Sequence, residues 1–429
     1  MRVLYLTHQY FPRHVGGTEV YLRGLVRRTV AAGHEARVVT CAEEPSGDPA
    51  RARVERTEHE GVPVVEARFN LSIQRRPARA EYDNGWAGER VAEEVRAWKP
   101  DVVHALHAMK LSGAALVACH RAGVPVVATL TDFWFLCARH TLVTWDGRAC
   151  EGPGHLVRCA PCLSRLHKVA APPRDLGSVL PYVRDLGAIA ERAGFLRRAL
   201  LGCRRIVALS QSQVDAFVAN GYPRRRFEVI EHGVEAEDLD PGPTAPEPVG
   251  TPRPLRVGFI GSVVPHKGLD VWLRALALAR DVDVRCPVHG ELQDSDPYAA
   301  EVRALAAADP RVRFEGTFEP SEIGRVLRGM DALVVPSQWR ENAPLVVKAA
   351  LHLGMPVLAS RVASVTEMLD GDRAAWLVPP GDPAAWAQAL RRLAASPPPR
   401  FAPRKIKTMD ENAREMLAVY EATLDGASA

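Results

Sequence analysis

The chain has 429 residues, of which 47% are hydrophobic and 25% are charged, and its formal net charge at pH 7 is +4. A chain of this length exceeds one ordinary core, so two or three soluble globular domains are predicted. So small a basic excess gives no support to a nucleic-acid-binding protein, which needs a concentrated basic face. The start of the chain lacks the apolar core of a signal peptide, and no run of about eighteen apolar residues could span a bilayer. We therefore expect a cytoplasmic protein.

Short β-rich runs alternate with helical stretches through the first half of the chain. A buried strand at residues 3–6 precedes an amphipathic helix at about residues 18–32. Strands separated by helices of about ten to fifteen residues are typical of βαβ units and predict a parallel sheet. Further strands of this half are predicted at residues 36–40, 101–104, 124–129 and 206–209.

The sequence becomes dense in proline at residues 241–254, which predicts a linker because proline continues neither a helix nor a central strand. The alternation then starts again. We predict an N-terminal domain at 1–240, a C-terminal domain at 255–400 and a closing segment at 401–429. Strands of the second half are predicted at residues 256–260, 282–288, 312–314, 332–335 and 356–359.

This pattern predicts an α/β fold of two facing, doubly wound, Rossmann-like domains. Ligands of such sheets bind beyond the carboxyl ends of the strands, so the loops at those ends are the candidate functional segments.

The loop after the first strand contains Gly16 and Gly17 directly before a helix. Glycines there let a ligand approach the backbone, and a helix N-terminus favours anionic groups. An ordinary turn explains the pair equally well, and the strict dinucleotide fingerprint is absent.

The corresponding loop of the second half runs from Gly261 and Ser262 to Lys267, one of seven lysines in the chain. A lysine between a strand and a helix, in a glycine-flanked loop, can reach a diphosphate as a point charge. The alternative is a solvated surface lysine.

A third segment begins at Glu341 and continues through Asn342, Ala343, Pro344 and Leu345. Proline is favoured in the first turn of a helix, so exposed N–H groups are expected beside the Glu341 carboxylate. The carboxylate could accept hydrogen bonds from sugar hydroxyls while the helix end receives phosphate oxygens. Simple capping by Glu341 and Asn342 is the alternative.

With these segments, the chain resembles the retaining glycosyltransferases of the GT-B class called family 4. The resemblance covers nearly the whole length and also rests on residues 207–210 and 229–234 and on Glu367. It implies a first domain that binds the acceptor, a second that binds a nucleotide sugar, and a C-terminal helix at 410–424 that crosses back to the first domain. It further implies sugar transfer with retention of configuration to a hydroxyl of a glycan or lipid-linked acceptor in polysaccharide biosynthesis.

The resemblance assigns roles to individual residues. Asp132, Lys267 and Glu341 are the predicted catalytic residues, and no catalytic metal is required because Lys267 and helix N–H groups would stabilise the leaving diphosphate. Predicted acceptor-side residues are His104, His107, Thr131 and Asp132. Predicted donor-binding residues are Gly16, Gly17, Gly261, Ser262, Lys267, Glu341, Asn342, Ala343, Pro344, Leu345 and Glu367.

Three positions depart from the family pattern. Ala349 stands where a second glutamate usually holds the ribose, Thr131 where a histidine usually precedes Asp132, and Ser262 where an arginine often stands. These departures leave two alternatives open: a GT-B-shaped binding protein without turnover in a glycan-assembly complex, and a sugar-nucleotide epimerase.

Four cysteines, Cys137, Cys150, Cys159 and Cys162, fall in a turn-rich stretch of the first half. Four thiolates around one tetrahedral centre are typical of structural zinc, which is the predicted ligand. Free thiols, an iron–sulfur centre and disulfides are the alternatives.

Residues 192–205 combine arginines with apolar side chains. Such a segment could dock on anionic lipid and give peripheral contact with the cytoplasmic membrane face. A surface helix packed on its own sheet is the alternative.

Overall fold

The computed structural model describes residues 1–44, 52–70, 77–153, 156–167, 176–239, 253–292, 296–369, 375–396 and 401–426. Two compact units share these residues: Met1–Glu231 together with Asp410–Ala429, and His232–Met409. Apart from residues 253 and 254, the predicted linker 241–254 lies outside the described residues. Within the described residues, no helix is long and apolar enough to cross a membrane.

An eight-stranded sheet forms the centre of the first unit. Its strands are β1 (Arg2–Leu6), β2 (Glu35–Glu43), β3 (Arg53–His59), β4 (Val62–Phe69), β5 (Val102–Ala105), β6 (Val126–Leu130), β7 (Arg205–Ala208) and β8 (Phe227–Val229).

Helices separate the strands of this unit, except in the run from β2 to β4. They are α1 (Gly17–Ala31), α2 (Pro77–Ala80), α3 (Gly85–Trp98), α4 (Ser112–Arg121), α5 (Leu156–His167), α6 (Leu176–Leu201) and α7 (Gln211–Ala219).

The strand order of the first sheet is β3-β4-β2-β1-β5-β6-β7-β8. All neighbours pair in parallel except β3 and β4, which are antiparallel. The chain winds outward in one direction from β1 to β2 and in the other from β5 onward. The switch of direction between β1 and β5 is where a doubly wound sheet binds ligands.

The second unit contains a six-stranded sheet with its own set of helices. Its strands are β9 (Leu255–Ile260), β10 (Val284–His289), β11 (Val312–Gly316), β12 (Ala332–Val335), β13 (Val357–Ser360) and β14 (Ala375–Val378), and its helices are α8 (Leu269–Leu278), α9 (Pro297–Ala307), α10 (Ile323–Arg328), α11 (Leu345–His352), α12 (Ala363–Leu369) and α13 (Pro383–Ala395).

The order of the second sheet is β11-β10-β9-β12-β13-β14, and all its pairs are parallel. One apolar cluster includes Trp272 of α8 and Trp386 of α13, whose rings lie 6.0 Å apart. A second cluster includes Val347 of α11 and Val365 of α12. Two separate apolar clusters, each with its own helices, are expected when helices cover both faces of a sheet. Both units confirm the predicted GT-B architecture of doubly wound domains.

A C-terminal helix, α14 (Met409–Asp425), packs on the first unit, as predicted for the crossover helix. Tyr21 on α1 donates to Asn412 at 3.0 Å, and Asn412 donates to the backbone oxygen of Glu231 at 2.7 Å. These buried polar contacts fix the position of α14 on the first sheet.

The antiparallel hairpin β3–β4 was not predicted from the sequence. Its turn is Glu60-Gly61, and both residues have positive φ, 52° and 78°. Paired positive φ values are typical of tight hairpin turns. The pair Glu60-Gly61 after a polar run was therefore the sequence signal available for this hairpin.

Candidate functional site

Lys267 and Glu341 form an ion pair at the carboxyl end of the second sheet. Lys267 follows β9 and Glu341 follows β12, the two strands at which the winding direction of the sheet changes. Lys267 Nζ donates to Glu341 Oε1 at 2.7 Å and lies 5.2 Å from the centre of the Trp339 ring. The Lys267 side chain is 26% exposed and that of Glu341 is 4% exposed. The pair therefore holds a solvent-accessible cation on a buried carboxylate.

Local backbone geometry places the Glu341 carboxylate. Glu341 has a φ of 50°, a left-handed value that costs a non-glycine residue about 1 kcal/mol and that concentrates at functional sites. Ser337 donates to Glu341 Oε1 at 2.6 Å. Gly268 brings the β9 loop against the same segment, because a Cβ at that position would lie 2.1 Å from the Pro336 oxygen. The two strand-end loops thus hold each other in place.

Other predicted donor-side residues lie on the same loops or beside them. Gly261 and the exposed Ser262 follow β9 directly. Helix α11 begins at Leu345, so Pro344 is its N-cap residue and not, as the sequence had predicted, a residue of its first turn. The backbone oxygen of Arg340 accepts from Ser364 at 3.0 Å, which ties α12 to the Glu341 segment. The remaining predicted residues are the buried Asn342 and the half-buried Ala343 of that segment, and the exposed Glu367 on α12.

The predicted Gly16-Gly17 loop enters α1 at the carboxyl end of β1. Gly16 is the N-cap residue and Gly17 the first helical residue. A Cβ on Gly16 would lie 2.6 Å from Oε2 of Glu19. Glycine at position 16 is therefore needed for the Glu19 carboxylate to fold back over the loop.

His107 and Asp132 form a buried hydrogen-bonded pair in the first unit. His107 Nε2 lies 2.5 Å from Asp132 Oδ2, and the other ring nitrogen accepts from the backbone N–H of Met109 at 3.2 Å. Asp132 Oδ1 accepts from the backbone N–H of Trp134 at 2.8 Å. Burial by itself raises the pKa of Asp132, but the charge and hydrogen bond of His107 outweigh it and hold the pKa below its usual value. Asp132 is thus an ionised carboxylate. The neighbouring Thr131 donates to the oxygen of Leu106 at 3.0 Å.

His104, predicted on the acceptor side, lies instead in the core of the first unit. It is fully buried, and its ring nitrogens contact the Tyr420 hydroxyl at 2.6 Å and the Thr129 hydroxyl at 2.7 Å. Burial lowers the pKa of His104 to about 3, so the ring is neutral. His104 on β5 therefore packs against Tyr420 of α14, whereas His107, two residues beyond the end of β5, pairs with Asp132.

The four clustered cysteines do not form the predicted metal site in this structure. None of the four forms a disulfide, all four are half-buried, and the described residues contain no group of three or more histidine, cysteine or acidic side chains arranged around a metal. Cys159 and Cys162 lie on helix α5 rather than in a turn. Cys150 donates instead to the oxygen of Gly152 at 3.3 Å. As they stand, the four thiols do not fit a tetrahedral zinc.

The arginine-rich segment 192–205 packs its apolar side chains on its own unit, while Arg197, Arg198, Arg204 and Arg205 are exposed. Arg192 is buried and pairs with Glu81 at 2.6 Å, while Leu196 and Leu200 are completely buried. This agrees with the alternative of a helix packed on its own unit.

Comparison with known proteins identifies the family. The family model described as "Glycosyltransferase Family 4" matches residues 15–238, more than half of the chain, and the model "Glycosyl transferases group 1" matches residues 254–396. The chain belongs to glycosyltransferase family 4.

Two curated relatives illustrate this membership. The D-inositol 3-phosphate glycosyltransferase of Corynebacterium glutamicum strain R is 30% identical over 181 residues, which are 39% of this chain and 43% of that protein. The chain thus spans less than half the length of that relative. A GDP-mannose-dependent alpha-mannosyltransferase of Mycobacterium tuberculosis is 25% identical over 394 residues, 89% of this chain and 85% of that protein.

Solved structures show the same fold. HepE of Anabaena in complex with UDP and glucose is similar with a TM-score of 0.61 and 18% identity, covering 99% of this chain and 98% of that one. At this level of identity the likeness concerns the GT-B fold alone.

Within family 4, the position of Ala349 has a structural consequence. Its side chain is 1% exposed and belongs to the apolar cluster that contains Val347 and Leu351. A glutamate introduced here would enter that cluster. The adjacent Lys348 is buried too, and its ammonium donates to the oxygen of His232 at 2.8 Å.

Sequence reasoning assigned no role to three residues that lie beside predicted site residues, two in the second unit and one in the first. Ser337 and Trp339 flank the ion pair of the second unit and follow β12 closely, which was the available signal. Glu19 lies in the first turn of α1 and is 4% exposed. A charged residue two positions after a glycine pair is typical of an exposed helix start, and the burial of Glu19 is evident only in the structure.

Proposed function

We propose that the chain transfers a sugar from a nucleoside-diphosphate sugar to a hydroxyl of a glycan or lipid-linked acceptor, with retention of anomeric configuration. The single observation that carries the proposal is the Lys267–Glu341 ion pair at the strand ends of the second sheet. Family membership and relatives named as glycosyltransferases support it.

The second unit is the proposed donor site. When the bond between sugar and diphosphate breaks, negative charge develops on the diphosphate, and a cation held there in advance lowers the barrier. Lys267 is such a cation, since Glu341 and the Trp339 ring hold its ammonium in place. The first N–H groups of α11, at Leu345 and Val346, would add donors for phosphate oxygens.

The first unit is the proposed acceptor site. Both carboxylate oxygens of Asp132 are hydrogen-bonded, one to His107 and one to the backbone of Trp134. A carboxylate with both oxygens engaged is suited to orienting neighbouring groups rather than to covalent attack. We therefore assign Asp132 and His107 to organising the acceptor side, and the reaction needs no catalytic metal.

The nature of the donor can be approached through the relatives. One is named for GDP-mannose, and a structural neighbour is a complex with UDP and glucose. GDP-mannose and UDP-glucose are therefore the first donors to test. A ligand that binds only the folded protein stabilises it by about 2.7 kcal/mol at a hundred times its Kd, which a thermal-shift assay detects.

A transfer assay with the purified protein tests the proposal. We expect GDP-mannose or UDP-glucose to raise the melting temperature and to release nucleoside diphosphate in the presence of a hydroxyl acceptor. Donor binding without release would favour a binding protein, and interconversion of donors without an acceptor would favour an epimerase.

We also propose peripheral contact with a membrane, through the first turns of α6 rather than through residues 192–205. Val179, Leu180 and Val183 are 41%, 67% and 55% exposed, and Arg184 beside them is exposed as well. An apolar stripe next to a basic residue can insert at a lipid interface. Sedimentation with anionic vesicles, compared between the parent and Leu180→Ser/Val183→Ser, tests this contact; equal sedimentation would contradict it.

Structural zinc remains a proposal that rests on the clustering of Cys137, Cys150, Cys159 and Cys162. Binding would require helix α5 to shift, because the structure does not gather these sulfurs around one point. Elemental analysis of freshly purified protein tests it: about one zinc per chain would support the site. Four reactive thiols and no metal would rule it out.

A further inference from the structure

Two buried polar atoms of the first unit face each other without a hydrogen-bond partner among the described residues. They are Nδ1 of His8 and Oε1 of Glu19, and they lie 3.9 Å apart. The two side chains are 13% and 6% exposed. Buried polar atoms are nearly always hydrogen-bonded in native proteins, so a pair of partnerless atoms needs an explanation.

The chain places this pair at the switch point of the first sheet. His8 follows β1 by two residues, and Glu19 lies in the first turn of α1. Backbone N–H groups of Gly16 and Glu19 hydrogen-bond to the Glu19 carboxylate. The approach of Oε2 over Gly16 is possible only because that residue lacks a Cβ. One carboxylate oxygen is therefore committed to the loop, and Oε1 is left to face His8.

The ring of His107 packs against the ring of His8, and neither nitrogen of His107 competes with His8 for a ligand. The two rings lie 4.0 Å apart at an angle of 36°. Both nitrogens of His107 are already engaged, by Asp132 and by the backbone of Met109. His107 thus leaves the partnerless atoms of His8 and Glu19 available to a ligand.

The charge state of the pair selects the kind of ligand. Burial lowers the pKa of His8 well below its usual value, and the charges of His107, Lys110, His140 and His14 lower it further. Burial likewise raises the pKa of Glu19, against backbone hydrogen bonds and the charges of His107 and Lys110. A neutral imidazole at 3.9 Å from a carboxyl group is not an ion pair. It suits a neutral group that can donate and accept at once.

A hydroxyl group meets these requirements. One oxygen atom can lie at a hydrogen-bond distance of about 2.8 Å from two atoms that are 3.9 Å apart. Its hydrogen can be donated to Glu19 Oε1, and its oxygen can accept from His8 Nδ1 in the tautomer that carries the proton on that nitrogen.

We propose that His8 and Glu19 together bind one hydroxyl group of a neutral sugar or polyol acceptor. The inference rests on the proposed function, which supplies the acceptor. It assigns the specificity of the first unit for a hydroxylated acceptor to two residues outside the Asp132–His107 pair.

Direct binding tests the pair independently of turnover. The probes are methyl α-D-mannopyranoside and myo-inositol, added to the full chain while the ring proton signals of His8 are followed by NMR and assigned with His8→Gln. We expect these signals to shift and to saturate with at least one probe. In Glu19→Gln the apparent affinity obtained from the titration should be about tenfold weaker, as for the loss of one charge-assisted hydrogen bond. Unchanged signals at solubility-limited probe concentrations, or equal affinity in Glu19→Gln, would overturn the proposal and leave the pair to ordered water.

A kinetic comparison adds a second readout. In a transfer assay with the active donor, Glu19→Gln should raise the KM for the acceptor about tenfold and change the KM for the donor much less. Glu94→Gln is the matched control, since Glu94 is equally buried in the same unit but is bound by Arg37 and Arg56. It should leave the acceptor KM unchanged. If the parent protein turns over no donor, the proposed function fails, but the NMR titration still shows whether His8 and Glu19 bind a hydroxyl group.

Discussion

Nζ of Lys267 lies 2.7 Å from Oε1 of Glu341, although the two residues are 74 positions apart in the chain. The contact joins the loops that follow two adjacent parallel strands, β9 and β12. It leaves the lysine partly exposed and the carboxylate buried. A cation anchored in this way is the feature that the proposed chemistry most depends on.

The first prediction concerns Glu341→Gln. The amide keeps nearly the same shape, so the melting temperature should change little, but the ammonium of Lys267 loses its anionic partner. Since charge-assisted hydrogen bonds contribute about 1.5–3 kcal/mol, transfer should fall roughly tenfold to a hundredfold. Steady-state kinetics at saturating donor measure this. Glu322→Gln, at an exposed glutamate of the same unit, is the control and should retain parental transfer. Parental rates in Glu341→Gln would remove the residue from the mechanism.

The second prediction is that Lys267→Met lowers stability as well as transfer. Oε1 of the buried Glu341 carboxylate accepts hydrogen bonds from the side chains of Lys267 and Ser337, and without the ammonium it keeps only the bond from Ser337. An uncompensated buried group costs about 1–3 kcal/mol. The double variant Lys267→Met/Glu341→Gln should regain most of that stability and none of the transfer. Additive losses of stability in a double-mutant cycle would show that the two side chains are not coupled.

The third prediction concerns the family position occupied by Ala349. Because its side chain lies in an apolar cluster with Val347 and Leu351, Ala349→Glu should lower the melting temperature and should not strengthen nucleotide binding. Calorimetric titration with GDP and UDP, together with thermal unfolding, measures both effects. Ala349→Ser is a smaller polar control. Tighter nucleotide binding at unchanged stability would mean that position 349 faces the donor.

The fourth prediction is a pH dependence that originates at His104. Its pKa is lowered from 6.5 to about 3 by burial, so between these values the unfolded chain binds a proton that the folded chain does not. Stability from this residue is therefore present above pH 6.5 and is lost as the pH falls, by up to about 1.4 kcal/mol per pH unit. Denaturant unfolding between pH 4 and pH 7 should show a shallower slope in His104→Gln than in the parent. His352→Gln, in the second unit, is the control. An identical slope in both variants and the parent would contradict the assignment.

Much of the fold was predictable because it repeats one pattern. Runs such as β12, and β1 after Arg2, are apolar throughout, as buried parallel strands are, and helices separate them. The hairpin β3–β4 escaped prediction because its first strand is mostly charged, with the burial pattern of an edge strand. Local patterns specify buried parallel strands better than exposed antiparallel ones.

The candidate site was predictable only where its residues follow strands directly. Lys267 and Glu341 were identified in this way, and the structure brings them together. His104 looked equivalent to His107, but a sequence does not show that Tyr420, more than three hundred residues later, occupies the space beside it. Glu19 is the opposite case, since only the backbone path at Gly16 turns a charged helix start into a buried group.

The most direct test of the central claim is the measurement of nucleoside diphosphate release by the purified chain from GDP-mannose and UDP-glucose, with and without a hydroxyl acceptor. The account predicts acceptor-dependent release from at least one donor, a new glycosidic product of retained configuration, and a fall in both of about tenfold or more in Glu341→Gln and Lys267→Met. Binding of a donor with no release in any acceptor mixture, or release at the parental rate in both variants, would contradict it.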